Sequence, residues 1–150
     1  MPSNRIRSWN SHVLQAIGLT VVAVLSALSW FAWMGWDHEY QVDPVTGLQS
    51  GPFETWQVAG CALSLLMVLG TALVAGVRPV PASVTLTVAF TASWTVQAAR
   101  DDDTGLYAVG ALLLLVGLGA GTAVVAVAVS GLRKLWTSQG RTALPRRGIT

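Results

Sequence analysis

Charge is what this sequence has least of. Charged side chains make up 11% of its 150 residues, against roughly 25% in an average soluble domain. Cysteine is nearly missing as well. Cys61 stands alone, which excludes an intrachain disulfide and any CxxC redox or zinc pattern. The two histidines, His12 and His38, fall near opposite ends of the first apolar block, which argues against a Ser/His pair acting at membrane depth. No phosphate-binding glycine loop, GxSxG elbow or HExxH helix occurs. Proline is kept out of the apolar blocks: Pro2, Pro44, Pro52, Pro79, Pro81 and Pro145 all lie between them or at their ends. A proline inside a helix removes a hydrogen bond and bends the chain, so this placement favours uninterrupted helices.

What fills the chain instead is hydrophobic sequence, 53% of it, gathered into long runs. Val13 to Trp36 holds no charged residue. Its 24 positions reach about 36 Å as a helix, enough for a hydrocarbon core of roughly 30 Å. Further runs cover about 56–77, 82–99 and 106–132, again without an interior Asp, Glu, Lys, Arg or His. The expected fold is all-α: a transmembrane antiparallel four-helix bundle in a single domain, with residues 1–12 and 133–150 as cytoplasmic tails. Arg5 and Arg7 resemble the start of a signal peptide, but signal h-regions run about 7–15 residues. The first run is longer and ends in Trp33-Met34-Gly35-Trp36, so it reads as an uncleaved span.

The few charges present are sorted by side. Asp37, Glu39, Asp43, Glu54, Asp101, Asp102 and Asp103 all fall in the first and third connections. Arg5, Arg7, Arg78, Arg133, Lys134, Arg141, Arg146 and Arg147 fall in the tails or the second connection; only Arg100 is on the acidic side. Short Lys/Arg-rich segments stay cytoplasmic, so both termini are expected inside a bacterial cell membrane. The basic C-terminal tail then faces anionic lipid headgroups, worth about 1 kcal/mol per residue near the surface, in preference to nucleic acid.

Several clusters invite a functional reading beside a structural one. Trp30, Trp33 and Trp36 lie three apart along the end of the first helix, and Trp56 and Trp94 fall near the same boundary. Together they read as an interfacial aromatic belt, or as an aromatic ligand wall. Asp37, His38 and Glu39 are adjacent, so their side chains diverge. With Asp101, Asp102 and Asp103 from the other acidic connection they form either a solvated rim or a weak metal site for a hard cation. "DPVTG" suits a type I turn. "SGPFE" reads as a helix start, with Gly51 or Ser50 capping and Pro52 in the first turn. In "RDDDTG", Arg100 suits a helix C-terminus and the aspartates the N-terminus of the next helix.

Inside the spans, Ser83, Thr87, Thr91 and Thr95 recur every four residues, with Gln97 and Arg100 near the outer end of the row. The stripe packs against a neighbour or lines a path. Gly117 and Gly121 form a GxxxG pair, with smaller analogues at Ala72/Gly76 and Ala23/Ala27, suited to helix packing within the chain or between copies. The short "VRPVPA" link predicts a tight hairpin of the second and third helices. No cofactor motif is present.

"SGPFETWQVAGC" and "DDDTGLYAVGALLLL" resemble the small four-span integral membrane proteins of actinobacteria, and the arginine-over-lysine and valine-over-isoleucine bias suits a high-GC genome. That resemblance implies the membrane fold and brings no activity with it. Without ionisable groups at membrane depth, proton-coupled transport is unfavoured. The expectation is a non-enzymatic membrane protein that packs with itself or a membrane partner. A passive channel along the hydroxyl stripe and an outer-face cation sensor are the rivals.

Overall fold

A computed structural model describes residues 3–36, 41–42, 49–50, 53–101 and 104–142, with side chains over 11–36, 53–100, 104–133 and 135. Four helices dominate: α1 (Ser3–Trp33), α2 (Thr55–Val74), α3 (Pro79–Asp101) and α4 (Tyr107–Thr142). A short antiparallel pair, β1 (Gln41–Val42) and β2 (Gln49–Ser50), sits in the first connection, with Gln41 opposite Ser50 and Val42 opposite Gln49. Both α1 and α4 run beyond their apolar cores, so the residues expected as tails begin as helix on either side.

Three stretches are long and apolar enough to cross a membrane: Ser11–Trp33, Thr55–Val74 and Tyr107–Arg133. These long apolar helices point to a membrane-embedded protein. The helix outside that set is α3, whose hydroxyls dilute its apolar content. Like α2 it touches all three others, and its contacts are the more extensive, while α1 and α4 share no contact among the described residues. Trp30 near the end of α1 meets Gln97 near the end of α3, so these two run the same way. Trp94, late in α3, lies over Gly110, early in α4, so that pair is antiparallel.

The boundaries have local causes. Helix α2 begins at Thr55 with Glu54 as its N-cap, φ −77° and ψ 152°. The helix therefore begins later than "SGPFE" suggested, and Pro52 lies outside the described residues. Instead Glu54 and Gln57 form a capping box, the Glu54 N–H donating to Gln57 Oε1 at 2.7 Å. The helix stops early because Gly76 takes φ +92°. The Gly76 N–H donates to the Leu73 carbonyl at 3.1 Å and the Val77 N–H to the Ala72 carbonyl at 3.0 Å. That is a Schellman stop, which needs a residue at ease with positive φ. Gly76 is thus a terminator and not half of a packing pair.

Pro79 then opens α3, where a fixed φ and a missing N–H cost nothing. The aspartates of "RDDDTG" do not reach the first turn of α4, which starts at Tyr107 and contains no acid. A turn through Gly105, φ +79°, intervenes.

Packing follows a four-residue rhythm. Gln57, Cys61, Leu65, Leu69 and Leu73 are the buried line of α2. On α3 the buried residues come in adjacent pairs: Ala82/Ser83, Leu86/Thr87 and Phe90/Thr91. Ala82, Leu86 and Phe90 join the common core with Val22, Trp30 and the α2 leucines. The hydroxyl member of each pair lies one position, about 100°, further round the helix.

Candidate functional site

The hydroxyl stripe meets a neighbouring helix. The Ser83 hydroxyl donates to the Thr122 carbonyl on α4 at 3.4 Å, and Thr87 Oγ1 lies 3.4 Å from Thr122 Oγ1. Thr122 directs its own proton to the Leu118 carbonyl at 2.8 Å, which leaves Thr87 as the donor of that pair. Thr95 is half-buried and donates to the Thr91 carbonyl at 2.7 Å. Thr91, 6% exposed, holds a buried hydroxyl without a partner among the described residues. Thr122 is the hub of this contact, yet in the sequence it is one threonine behind a glycine run.

A groove of about 640 Å³ runs beside the stripe between α3 and α4. Val80, Val84 and Val88 form one rim; Leu115, Gly119, Ala123 and Val127 form the other; Ser83, Thr87 and Thr122 lie between. It opens sideways. Its hydroxyls are already engaged, Ser130 included, whose proton goes to the Ala126 carbonyl at 2.7 Å. A second groove of about 630 Å³ separates α2 from α4, lined by Leu65, Leu66, Leu69, Leu114, Gly117 and Gly121 among others. A Cβ added at Gly117 or Gly121 would meet nothing within 4 Å. The GxxxG pair therefore lines open space and draws no helix of this chain close.

Close approach happens at other glycines. A Cβ on Gly60 would sit 2.5 Å from the Trp33 ring, one on Gly18 would sit 2.7 Å from Val77, and one on Gly110 would strike the Trp94 ring. No spacing rule singles these glycines out. Their signal is the bulky residue that the helix register sets opposite them.

The five tryptophans of the expected belt divide. Trp30 is 3% exposed, edge-on to Phe53 and Phe90, and its indole N–H donates to Gln97 Oε1 at 3.1 Å. Gln97 in turn donates to the Gly35 carbonyl at 3.5 Å. Trp33 is half-buried over Gly60, with its N–H on Ser64 Oγ at 3.0 Å. Trp94 is half-buried against Gly110. Trp36 and Trp56 are exposed, at 61% and 54%. Trp36 donates to the Ala32 carbonyl at 3.0 Å and Trp56 to Glu54 Oε2. A buried indole needs an acceptor, and Gln97 and Ser64 supply one each.

The opposite end carries polar contacts, one of them from a neutral amide that a scan for charge passes over. Gln15 on α1 clamps the α2–α3 link from both sides: its Nε2 donates to the Gly76 carbonyl at 2.9 Å, and its Oε1 accepts from the Arg78 N–H at 3.1 Å. Arg133 on α4 donates to the Leu73 carbonyl at the C-terminus of α2, where a cation suits the helix dipole.

Of the suggested metal ligands, Asp37, His38, Glu39, Asp102 and Asp103 lie outside the described residues, as does the Asp101 side chain; "DPVTG" lies outside them too. Among the described residues no three His, Cys, Asp or Glu side chains come together. Cys61 is buried, its Sγ 3.9 Å from the Ser29 carbonyl. Compared with known proteins, the chain matches no family model, no curated protein and no solved structure.

Proposed function

We propose that this chain is a four-span protein of a bacterial plasma membrane, with both termini cytoplasmic, acting without catalysis as an accessory bundle that associates with a second copy of itself or another membrane protein. The observation that carries the reading is the open small-residue face of α4. Gly117 and Gly121 meet no side chain of their own chain, although small residues in lipid are what let a second helix approach. The central position of α3 supports the fourth span: a moderately polar helix crosses readily when its hydroxyls face other helices and the carbonyls four residues back.

The stripe's bonds to Thr122, and a groove that opens to the side, favour the association reading over an axial channel. Cross-linking in native membranes tests it. With cysteine introduced as Gly121→Cys and Cys61→Ser removing the native thiol, oxidation is expected to give a disulfide-linked dimer or a covalent complex with a partner. Strict monomer, with no co-purifying protein from untreated membranes, removes the association half. A reporter fused after Thr150 that is active outside the cytoplasm removes the topology.

A further inference from the structure

We infer that the groove between α3 and α4 is a binding site for one anionic phospholipid, its acyl chain lying along the valine rim of α3 and its headgroup at Arg78. The inference rests on the membrane reading above. Three observations carry it.

The groove opens laterally and its walls are valine, leucine, alanine and glycine, with its hydroxyls occupied by each other or by carbonyls. Such a space offers a polar solute nothing to bond and suits a hydrocarbon chain. Its length fits as well. The lining runs from Pro79 to Val88 on α3 and from Leu115 to Gly131 on α4, about 14 Å and about 24 Å at 1.5 Å per residue. Those lengths bracket the depth of one leaflet, about 15 Å as half of the hydrocarbon core.

One mouth of the groove is basic. Pro79 and Gly131 line it there, and Arg78 immediately precedes Pro79 and is exposed; Arg133, two places after Gly131, instead reaches the Leu73 carbonyl of α2. Arg78 has no acidic partner among the described residues; the one acidic side chain described, Glu54, belongs to the tryptophan end. Basic pockets between spans on the cytoplasmic side hold anionic headgroups. The α2–α4 groove lacks this feature, since its lining lies wholly within the apolar stretches.

Space at the site depends on Gly119 and Ala123, one turn apart on the α4 wall; a Cβ on Gly119 would meet nothing within 4 Å. The test is lipid retention by the purified full chain, read by native mass spectrometry after exchange into mixed micelles of phosphatidylglycerol and phosphatidylcholine. The wild type is expected to keep one phosphatidylglycerol per chain, favoured about five-fold over phosphatidylcholine, the ratio given by roughly 1 kcal/mol from one arginine. Arg78→Gln is expected to erase the preference while leaving some lipid bound.

Ala123→Phe, which fills the groove, is expected to remove both lipids. Val127→Trp serves the same purpose should Ala123→Phe lose helicity. Equal retention of the two lipids by the wild type overturns the inference, and so does unchanged retention in both groove-filling variants. Loss of a chain-to-chain cross-link in Ala123→Phe, with no lipid seen on the wild type, gives the groove to a second copy and also overturns it. Alkaline carbonate extraction keeps the two readings apart. A chain that washes out of membranes sinks the membrane reading itself, whereas one that stays without groove-dependent lipid sinks only the site.

Discussion

Helices α3 and α4 pack against each other, yet they use opposite materials. α3 is the least apolar of the four and the most enclosed, buried along Ala82, Ser83, Leu86, Thr87, Phe90 and Thr91 and in contact with every other helix. α4 is rich in leucine, valine and glycine and has little of its length covered, with Leu112, Leu113, Val116 and Val124 all facing outward. In water this would be inverted. In lipid there is no hydrophobic drive to bury leucine, so apolar side chains stay outside and the helix carrying hydroxyls goes to the middle. The inside of this protein is marked by hydroxyls set beside leucine and aromatic side chains, not by hydrophobicity alone.

That contrast can be broken by experiment. The largest effect is expected where α1 and α3 share a core. Trp30→Ala removes a buried ring with two edge-on aromatic partners and its bond to Gln97, and is expected to cost about 3–5 kcal/mol. Leu113→Ala on the outward face of α4 should change stability by less than about 0.5 kcal/mol. Unfolding of the reconstituted protein in SDS measures both, and similar losses would erase the distinction between the α1–α3 core and the outer face of α4.

Next in size are the glycines. Gly110→Ala and Gly60→Ala drive a methyl into a tryptophan ring and are expected to destabilise by about 1–3 kcal/mol. Gly119→Ala has open space and should be neutral or, through helix propensity, stabilising by up to about 1 kcal/mol. If the three behave alike in thermal melts, the glycine contacts described above are not those that hold the helices together.

Smaller again is the hydroxyl hub. Thr122→Val leaves Ser83 its carbonyl acceptor but deprives Thr87 of its own, with an expected loss of roughly 0.6 kcal/mol, rising to about 1.7 at most. Thr91→Val should go the other way, neutral or slightly stabilising, because it removes a buried hydroxyl that has no partner. A clear loss of stability in Thr91→Val would show that this hydroxyl bonds to something. Least in energy, and readable without any unfolding, is Cys61. At 2% exposure it should label with a small maleimide only after denaturation.

The helical architecture was legible early, because long apolar runs broken by proline and acidic loops allow few other arrangements. Element ends were less so. Gly76 is spaced from Ala72 like a packing pair, but whether a glycine ends a helix depends on the φ it adopts. The strand pair leaves no mark in the sequence, since Gln41, Val42, Gln49 and Ser50 are too few to show a period. For the site the balance tips further. The stripe of Ser83, Thr87, Thr91 and Thr95 was evident from spacing, but its acceptor at Thr122 and the neighbouring groove were not. Gln15, Arg133 and Gly110 had no motif to announce them.

Sequence alone, then, determined the helices, their approximate lengths, the sorting of acids from bases and the apolar character of the surface, since these are sums over neighbouring residues along one chain. Tertiary structure alone decided which glycines carry a ring and which stand open, which tryptophans are enclosed, and which helix lies at the centre. Those outcomes depend on rotation and register between helices. A shift of one residue turns a helix face by about 100°, and only the partner across the contact fixes that angle.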